Sequence, residues 1–222
     1  MYTNICTQEE GREKIRWQKL IGSQIKSINM KTDIILAGVG GQGILSIAAG
    51  IGLAAVKTGL YIKQAEVHGM SQRGGDVQSH LRISDKPISS DLIPQGKAHL
   101  ILSVEPMEGL RYLPFLSKDG WLVTNITPFN NITDYPEVDA ILKEIKKIPN
   151  HIALDADAIA KEAGSSRSSN IVMLGAASPF IDIEFDKLED GIRQLFGRKG
   201  EEVVEVNLKA LRAGREFSQK NR

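Results

Sequence analysis

Apolar and polar positions follow two different rhythms from residue 30 onward. Short apolar or alternating runs, typical of strands, occupy residues 34–37, 60–65, 77–83, 100–104, 121–124 and 152–154. Longer stretches of helical character occupy residues 44–57, 135–148, 156–163, 170–177, 186–196 and 201–215. Strands that alternate with helices predict a three-layer α/β/α fold with a mainly parallel or mixed sheet and a helical C-terminus.

Residues 1–29 stand apart from this alternation. Trp17, Ile21, Ile25 and Ile28 recur at spacings that place them on one face of a helix, yet the first strand begins only after this segment. We therefore predict an N-terminal extension over residues 1–29 and one domain over residues 30–222. A helix that docks on a partner is the alternative interpretation of the extension.

Composition narrows the class of protein. The chain has 222 residues, of which 41% are hydrophobic and 25% charged, the balance of a globular domain. The formal net charge is only +1 and aromatic residues make up 5%. A dedicated nucleic-acid-binding domain is usually clearly basic and offers aromatic side chains for stacking. We expect no nucleic-acid partner.

The metal-binding and membrane-spanning classes are also disfavoured. One cysteine, Cys6, cannot by itself hold an iron–sulfur cluster or form a four-cysteine zinc site. The chain has four histidines, His68, His80, His99 and His151, and they are too far apart for a metal motif. No apolar run approaches the roughly 20 residues of a membrane span, and the first residues are charged where a signal peptide would be apolar. The sequence predicts a cytoplasmic protein without a metal site.

A glycine-rich turn follows the first predicted strand and opens the first predicted helix. Gly38, Gly40 and Gly43 fit the pattern G-x-G-x-x-G, with Gly41 and Gln42 between them. Glycines permit a tight turn, and backbone N–H groups at a helix start attract an anion. The turn therefore predicts a Rossmann-like anion site. The alternative is that the glycines only let the helix and strand pack closely.

Glu66 tests the dinucleotide interpretation of that turn. Such sites use an acidic residue about 20 positions after the glycines to bind a ribose, and Glu66 lies at that distance, 23 positions after Gly43. A ribose-binding acid normally precedes an ordinary short loop. Glu66 instead precedes ten residues rich in glycine and polar groups, which argues against a dinucleotide site.

The loop from Glu66 to Asp76 is the second candidate region. Arg73 lies beside Gly74 and Gly75, so a carboxylate, a phosphate or a partner backbone could approach it closely. We predict that Arg73 is an anion or inter-subunit anchor, with a structural salt bridge as the alternative. His68 is a weak candidate for proton transfer, and we interpret it as a hydrogen-bonding residue.

Three motifs together resemble a known family. They are GVGGQG at 38–43, EVHGMSQRGGD at 66–76, which includes Gln72, and NIVMLGAA at 170–177. In this order they resemble the gamma-type domain of 2-oxoacid:ferredoxin oxidoreductases. The second motif is most similar to that of the indolepyruvate branch, in its small (beta) subunit. The resemblance extends over residues 30–214 and leaves residues 1–29 outside.

The resemblance implies an activity of a complex rather than of one chain. Members of the family decarboxylate a 2-oxoacid on thiamine diphosphate, pass the acyl group to coenzyme A and send two electrons through 4Fe-4S clusters to ferredoxin. In the indolepyruvate branch a large alpha subunit carries the thiamine diphosphate and the clusters. This chain is then expected to bind no cofactor alone, to be inactive alone, and to help shape the entrance for substrate or coenzyme A.

Two other functions remain as alternatives. The chain could be the gamma subunit for another 2-oxoacid, such as pyruvate or 2-oxoisovalerate. It could also be a free-standing nucleotide-binding protein that uses the turn at 38–43. We predict one surface that binds a cofactor or faces a partner; its residues are the glycine turn, Glu66, His68, Gln72, Arg73, Gly74 and Gly75.

Overall fold

The computed structural model describes residues 30–68, 74–130 and 132–222, although not the side chain of His68. The strands of these residues form one six-stranded sheet. They are β1 (Lys31–Val39), β2 (Tyr61–His68), β3 (Asp76–Ser84), β4 (Ala98–Ser103), β5 (Leu116–Asn125) and β6 (His151–Leu154).

Helices cover both faces of this sheet. The α-helices of the described residues are α1 (Ile44–Lys57), α2 (Pro106–Arg111), α3 (Val138–Ile145), α4 (Ala156–Glu162), α5 (Ser169–Ala177), α6 (Phe185–Phe196) and α7 (Glu201–Lys220). Short 3-10 turns lie at Leu113–Phe115, Ser166–Ser168, Ser178–Phe180 and Gly197–Lys199.

The strand order is β2-β3-β1-β4-β5-β6, and β3 alone runs antiparallel to its neighbours. Only residues 69–75 separate β2 from β3, and a parallel crossover needs about a dozen residues or more, so the two strands pair antiparallel. Strands β1, β4, β5 and β6 pair in parallel. The predicted three-layer fold with a mainly parallel or mixed sheet is confirmed.

The core consists of two apolar layers, one on each face of the sheet. Ile34 and Leu36 of β1 pack in the layer covered by α1, α4, α5, α6 and α7, while Ile35 and Ala37 pack in the layer covered by α2 and α3. All four side chains are fully buried. Because successive side chains of a strand point to opposite faces, a continuous apolar run is what a central strand covered on both sides requires.

Helices α5 and α7 are in especially close contact. A Cβ atom on Gly175 would lie 2.0 Å from the carbonyl oxygen of Leu211, and one on Gly214 would lie 2.0 Å from that of Val172. No residue larger than glycine fits at either position without moving the backbone. This contact fixes the middle and end of α5 relative to the C-terminal helix.

The structure differs from the sequence-based expectations at several element ends. Helix α2 was not predicted, α3 is shorter than 135–148, and α7 extends to Lys220. The extension over residues 1–29 lies outside the described residues, so the predicted domain division remains a prediction. None of the helices in the described ranges is long and apolar enough to cross a membrane.

Candidate functional site

The two central strands define a crevice at one end of the sheet. Strands β1 and β4 are parallel neighbours. The chain leaves β1 toward α1 on one face and leaves β4 toward α2 on the other face. In open α/β sheets, ligands bind at the carboxyl ends of the strands where successive connections diverge in this way. The glycine turn lies at this point.

Steric constraints explain two of the glycines in the turn. A Cβ atom on Gly38 would lie 2.4 Å from Cγ2 of Val104. Gly43 has a φ of +82°, and a Cβ atom there would lie 2.5 Å from Nδ2 of Asn170. Gly41 also has positive φ, at +102°, but faces open space. Close packing therefore accounts for Gly38 and Gly43 without a ligand, whereas at Gly41 only the backbone conformation favours glycine.

The turn brings together the three motifs found in the sequence. The N–H of Gly40 donates to the carbonyl of Gly75 at 2.8 Å, and the N–H of Gly74 donates to the carbonyl of Gly40 at 3.3 Å. On the other side, Nδ2 of Asn170 donates to the carbonyl of Gly43 at 3.1 Å. The glycine turn, the end of the second motif and the start of α5 are thus one hydrogen-bonded unit.

The remaining predicted site residues are placed only in part. Glu66 lies on the edge strand β2, and β3 separates that strand from β1. A ribose-binding acid ends the strand next to the glycine turn, so Glu66 does not have that position. His68 is the last residue of β2. Residues 69–73, with Gln72 and Arg73, lie outside the described residues.

A buried cluster of acidic and phenolic groups lies at the same edge of the sheet. The Tyr112 hydroxyl donates to both carboxylate oxygens of Asp76, at 2.8 and 2.7 Å. Nε of Arg111 donates to Glu108, which is 1% exposed, at 2.7 Å. We call Asp76, Glu108, Tyr112, Glu105 and Tyr135 the acid cluster.

Glu105 is the fully buried centre of this cluster. Its carboxylate accepts a hydrogen bond from the N–H of Glu108 at 2.8 Å and so caps α2. It also accepts hydrogen bonds from the Tyr135 hydroxyl and from the N–H of Phe129. One side chain therefore fixes α2 and the segment after β5 at the end of the sheet.

Burial changes the proton affinity of the cluster. Burial raises the pKa of Glu108 to about 7; the ion pair with Arg111 opposes this rise and the nearby Asp76 carboxylate adds to it. Burial, and then hydrogen bonding to Asp76, raises the pKa of Tyr112 above its usual value. The charge of Glu108 therefore changes near neutral pH.

Two adjoining cavities open beside the glycine turn. The larger, of about 840 Å³, lies between the turn, the start of α5 and the first turns of α7. The smaller, of about 210 Å³, is lined in part by Asn125 and Asp157 at the carboxyl ends of β5 and β6. Gln42, Ser169 and Asn170 line both cavities. Side chains do not fill the space beside the glycine turn, and the two cavities leave room for a ligand.

The histidines that the structure describes in full serve the fold. Nδ1 of His80 accepts a hydrogen bond from the N–H of Ile93, and Nδ1 of His99 accepts one from the N–H of Asp33. In the ranges that the structure covers, no three His, Cys, Asp or Glu side chains form a group that could hold a metal ion. Cys6 lies outside those ranges.

Sequence reasoning did not single out the acid cluster. A signal was present, because Glu105 is followed by Pro106 and then by Glu108. Proline in the first turn of a helix, preceded by an acidic cap, is typical of a helix start. The pairing of Asp76 with Tyr112 had no sequence signal, since it depends on β3 and β4 both flanking β1.

The comparisons with known proteins identify the family. The family model described as pyruvate ferredoxin/flavodoxin oxidoreductase matches residues 33–217. The chain belongs to this family.

Two curated relatives and one solved structure of the same fold show how the matching segment occurs in other proteins. The chain is 39% identical to indolepyruvate oxidoreductase subunit IorB of Archaeoglobus fulgidus over 83% of this chain and 94% of that protein. It is 29% identical to ketoisovalerate oxidoreductase subunit VorA of Methanothermobacter marburgensis, over 84% of this chain but 36% of that protein. The 2-oxoglutarate:ferredoxin oxidoreductase structure from Magnetococcus marinus shares the fold, with a TM-score of 0.68 and 23% identity over 86% of this chain and 31% of that one.

Proposed function

We propose that this chain is the small subunit of an indolepyruvate ferredoxin oxidoreductase and works only in complex with a large subunit. The observation that carries the proposal is the 39% identity to an indolepyruvate oxidoreductase subunit along 94% of that protein's length. The ordered set of three motifs, hydrogen-bonded together around the glycine turn, supports the same assignment.

The need for a partner chain is supported by how the domain occurs in relatives. It accounts for 36% of the ketoisovalerate oxidoreductase subunit and 31% of the 2-oxoglutarate:ferredoxin oxidoreductase chain. In those proteins the matching segment is covalently joined to further sequence. A separate chain of this kind would have to recover the same contacts by association.

The carboxyl edge of the sheet is the surface that we assign to the partner. Leu45, Val67, Phe129 and Ile132 are all close to this edge and are 57%, 55%, 41% and 50% exposed. Exposed apolar side chains grouped around a polar crevice are typical of an interface. Arg73 follows β2 in the sequence, and we assign it to the same partner as this apolar rim.

The chemistry would be divided between the chains. The large subunit would hold the thiamine diphosphate and the 4Fe-4S clusters, since a cluster needs several cysteines and this chain has one. The complex would convert a 2-oxoacid anion, coenzyme A and two oxidised ferredoxins into acyl-coenzyme A, carbon dioxide, two reduced ferredoxins and one proton. This chain would close the site and shape its entrance.

Reconstitution tests the proposal. The purified chain, the large subunit and the mixture are each assayed for reduction of a viologen dye with indolepyruvate and coenzyme A. We expect activity only from the mixture, with omission of coenzyme A as the control. Dye reduction by this chain alone contradicts the proposal. A mixture that prefers pyruvate or 2-oxoisovalerate assigns the chain to the other branch.

Arg73 tests the assigned surface within that complex. Loss of one partner of a buried charge pair costs about 2–5 kcal/mol in binding, so we expect Arg73→Ala to weaken assembly or turnover by at least about tenfold. Arg73→Lys should not restore it, because lysine lacks the planar fork. Unfolding of the isolated Arg73→Ala chain would instead support a structural salt bridge. No change in folding, assembly or turnover would exclude this loop from the surface.

A further inference from the structure

Strand β2 is a long and regular edge of the sheet. It pairs with β3 through eight consecutive residues, Tyr61–His68, without a bulge. Among the described residues, no strand pairs with its other side. The opposite edge strand, β6, has only four residues. An edge strand offers unpaired backbone N–H and C=O groups to another strand unless short length, bulges, proline or charge protect it. Strand β2 is neither short nor bulged.

Charge and proline give this edge little protection. Strand β2 has no proline, and Lys63 is its only lysine or arginine. The Lys63 ammonium lies 2.8 Å from the carboxylate of Asp91 in the same chain. Gln64, at the middle of the strand, is neutral and exposed. The edge therefore lacks the row of like charges that would repel a second strand.

The exposed apolar side chains of β2 are symmetrical about Gln64. Tyr61 and Val67 each lie three residues from Gln64, and they are 50% and 55% exposed. Because they are six residues apart, both point to the same face of the sheet. When two β2 strands pair antiparallel with Gln64 opposite its own copy, Tyr61 of each strand lies opposite Val67 of the other. Apolar side chains directly opposite each other on one face stabilise such a pair.

Helix α1 extends this apolar surface on one face of the sheet. Leu45, Ala49, Gly52 and Val56 recur at spacings of four, three and four, so they share one side of the helix. A Cβ atom on Gly52 would lie 3.3 Å from Cδ1 of Ile62 in β2. This side of the helix is thus next to the edge strand, and Val56 on it is 64% exposed. We call β2 together with this side of α1 the β2 flank.

The size of the β2 flank suits a second copy of the chain. Strand β2 is roughly 26 Å long at about 3.3 Å per residue, and the strand and helix layers together are about 20 Å deep. The flank then measures about 500 Å² in each copy, so two copies bury about 1,000 Å², which is the lower limit of a specific interface. The expected dimer is therefore weak and depends on concentration.

We propose that the β2 flank binds a second copy of this chain, through antiparallel pairing of two β2 strands about a two-fold axis at Gln64. A two-fold interface uses the same patch on both copies, so a self-complementary edge is what it requires. The axis is normal to the sheet and places both α1 helices on the same face. Phe129 and Ile132 follow β5, at the other side of the sheet, and stay available to a different chain. The inference rests on this edge and not on the proposed function.

Sedimentation equilibrium of the full chain at about 10 µM to about 1 mM tests the proposal. We expect dimers to predominate at about 100 µM, because an interface of this size is weak. Tyr61→Lys and Val56→Lys should each weaken the dimer by at least about tenfold, since each change occurs twice across the axis. Ile132→Lys, at a side chain with the same 50% exposure as Tyr61, is the matched control and should leave the dimer unchanged. Thermal unfolding checks that the variants are folded. A monomer at about 1 mM, or equal losses in all three variants, overturns the proposal.

Cross-linking tests the register of the two strands. In a chain that also carries Cys6→Ser, Gln64→Cys brings the two new Cβ atoms about 4.5–5.5 Å apart across the axis, close to the separation in a disulfide. We expect this variant to oxidise to a covalent dimer much faster than Ile132→Cys. Equal yields would indicate chance collisions and contradict the proposal. If the large subunit occupies β2 instead, the free chain stays monomeric and Tyr61→Lys weakens only binding of that subunit, which also overturns the proposal.

Discussion

Two polar regions lie at the same edge of the sheet and use their hydrogen-bonding groups in opposite ways. In the acid cluster, Asp76, Glu105 and Glu108 all accept hydrogen bonds from side chains or backbone of the protein. Around the large cavity, Arg167 and Ser168 make no such side-chain bonds among the described residues.

The contrast separates structural polarity from polarity suited to a ligand. Buried polar groups that are fully paired within the protein stabilise one arrangement and offer nothing to a ligand. Groups around an open cavity that make no bond within the protein stay accessible to solvent or to a binding partner, and Arg167 is such an exposed group. We infer that the acid cluster holds the edge of the sheet in place, whereas the side chains around the cavity are not needed for that purpose.

The largest expected effect comes from Glu105→Ala. The change removes the acceptor for the Tyr135 hydroxyl and for the N–H groups of Glu108 and Phe129. Loss of a helix cap and of buried charged hydrogen bonds should lower the free energy of unfolding by about 3 kcal/mol or more. Urea denaturation measures it. Glu144→Ala, an exposed change at a surface ion pair, is the control and should cost less than about 1 kcal/mol. Equal losses would show that the cluster is not structural.

The second effect is a pH dependence. The pKa of Glu108 is raised from 4.5 to about 7 in the folded chain. Its protonated form is therefore favoured by folding, and the stability that this contributes is present below pH 4.5 and is lost as the pH rises through 7. Relative to Glu108→Gln, the wild-type chain should lose about 3 kcal/mol between pH 4.5 and pH 8. Urea denaturation across this range measures the difference, and parallel curves for the two proteins would contradict the assignment.

Gly43→Ala tests the hydrogen-bonded unit around the glycine turn. Positive φ alone costs alanine about 1–2 kcal/mol, and the new Cβ would also lie 2.5 Å from Nδ2 of Asn170. Gly59→Ala is the matched control, since Gly59 has a φ of +74° with no neighbouring atom within 4 Å. We expect Gly43→Ala to lower the unfolding free energy more than Gly59→Ala does. Equal losses would mean that contact with Asn170 does not restrict this position.

Ser168→Ala should have the smallest effect on stability. Its hydroxyl forms no hydrogen bond among the described residues, so the loss should stay within about 0.5 kcal/mol, or the chain should become slightly more stable. Chemical denaturation of the isolated chain measures this change. A loss above about 1 kcal/mol would place Ser168 with the structural groups and weaken the contrast between the two regions.

Most of the fold followed from the sequence because strands and helices differ in apolar period. Strand β1 and helix α6 show this, since residues 34–39 of β1 are continuously apolar whereas α6 buries Leu188, Gly191 and Ile192 on one face. Helix α2 was not predicted, because its six residues are too few for a helical period to be recognised. The antiparallel direction of β3 had a signal that was not used: only residues 69–75 separate it from β2, too few for a parallel crossover.

The site was less predictable because it depends on strand order. Gly43 and Asn170 are hydrogen-bonded although they are 127 positions apart. The contact of Tyr112 with Asp76 requires β3 and β4 on either side of β1. Local patterns give the elements but not their neighbours in the sheet. The three motifs indicated the family from the sequence. The structure then showed that Gly38 and Gly43 have close neighbours, which explains why glycine stands at both positions.

Hydrogen–deuterium exchange of the chain alone and with the large subunit tests the central claim, that the carboxyl edge of the sheet receives the partner. We predict slower exchange on complex formation at residues 41–46 and 126–132, which carry Leu45 and Phe129. Residues 85–97 and 146–150, at the opposite edge, should exchange at the same rate in both samples. Protection at the opposite edge with none at the carboxyl edge would contradict the account.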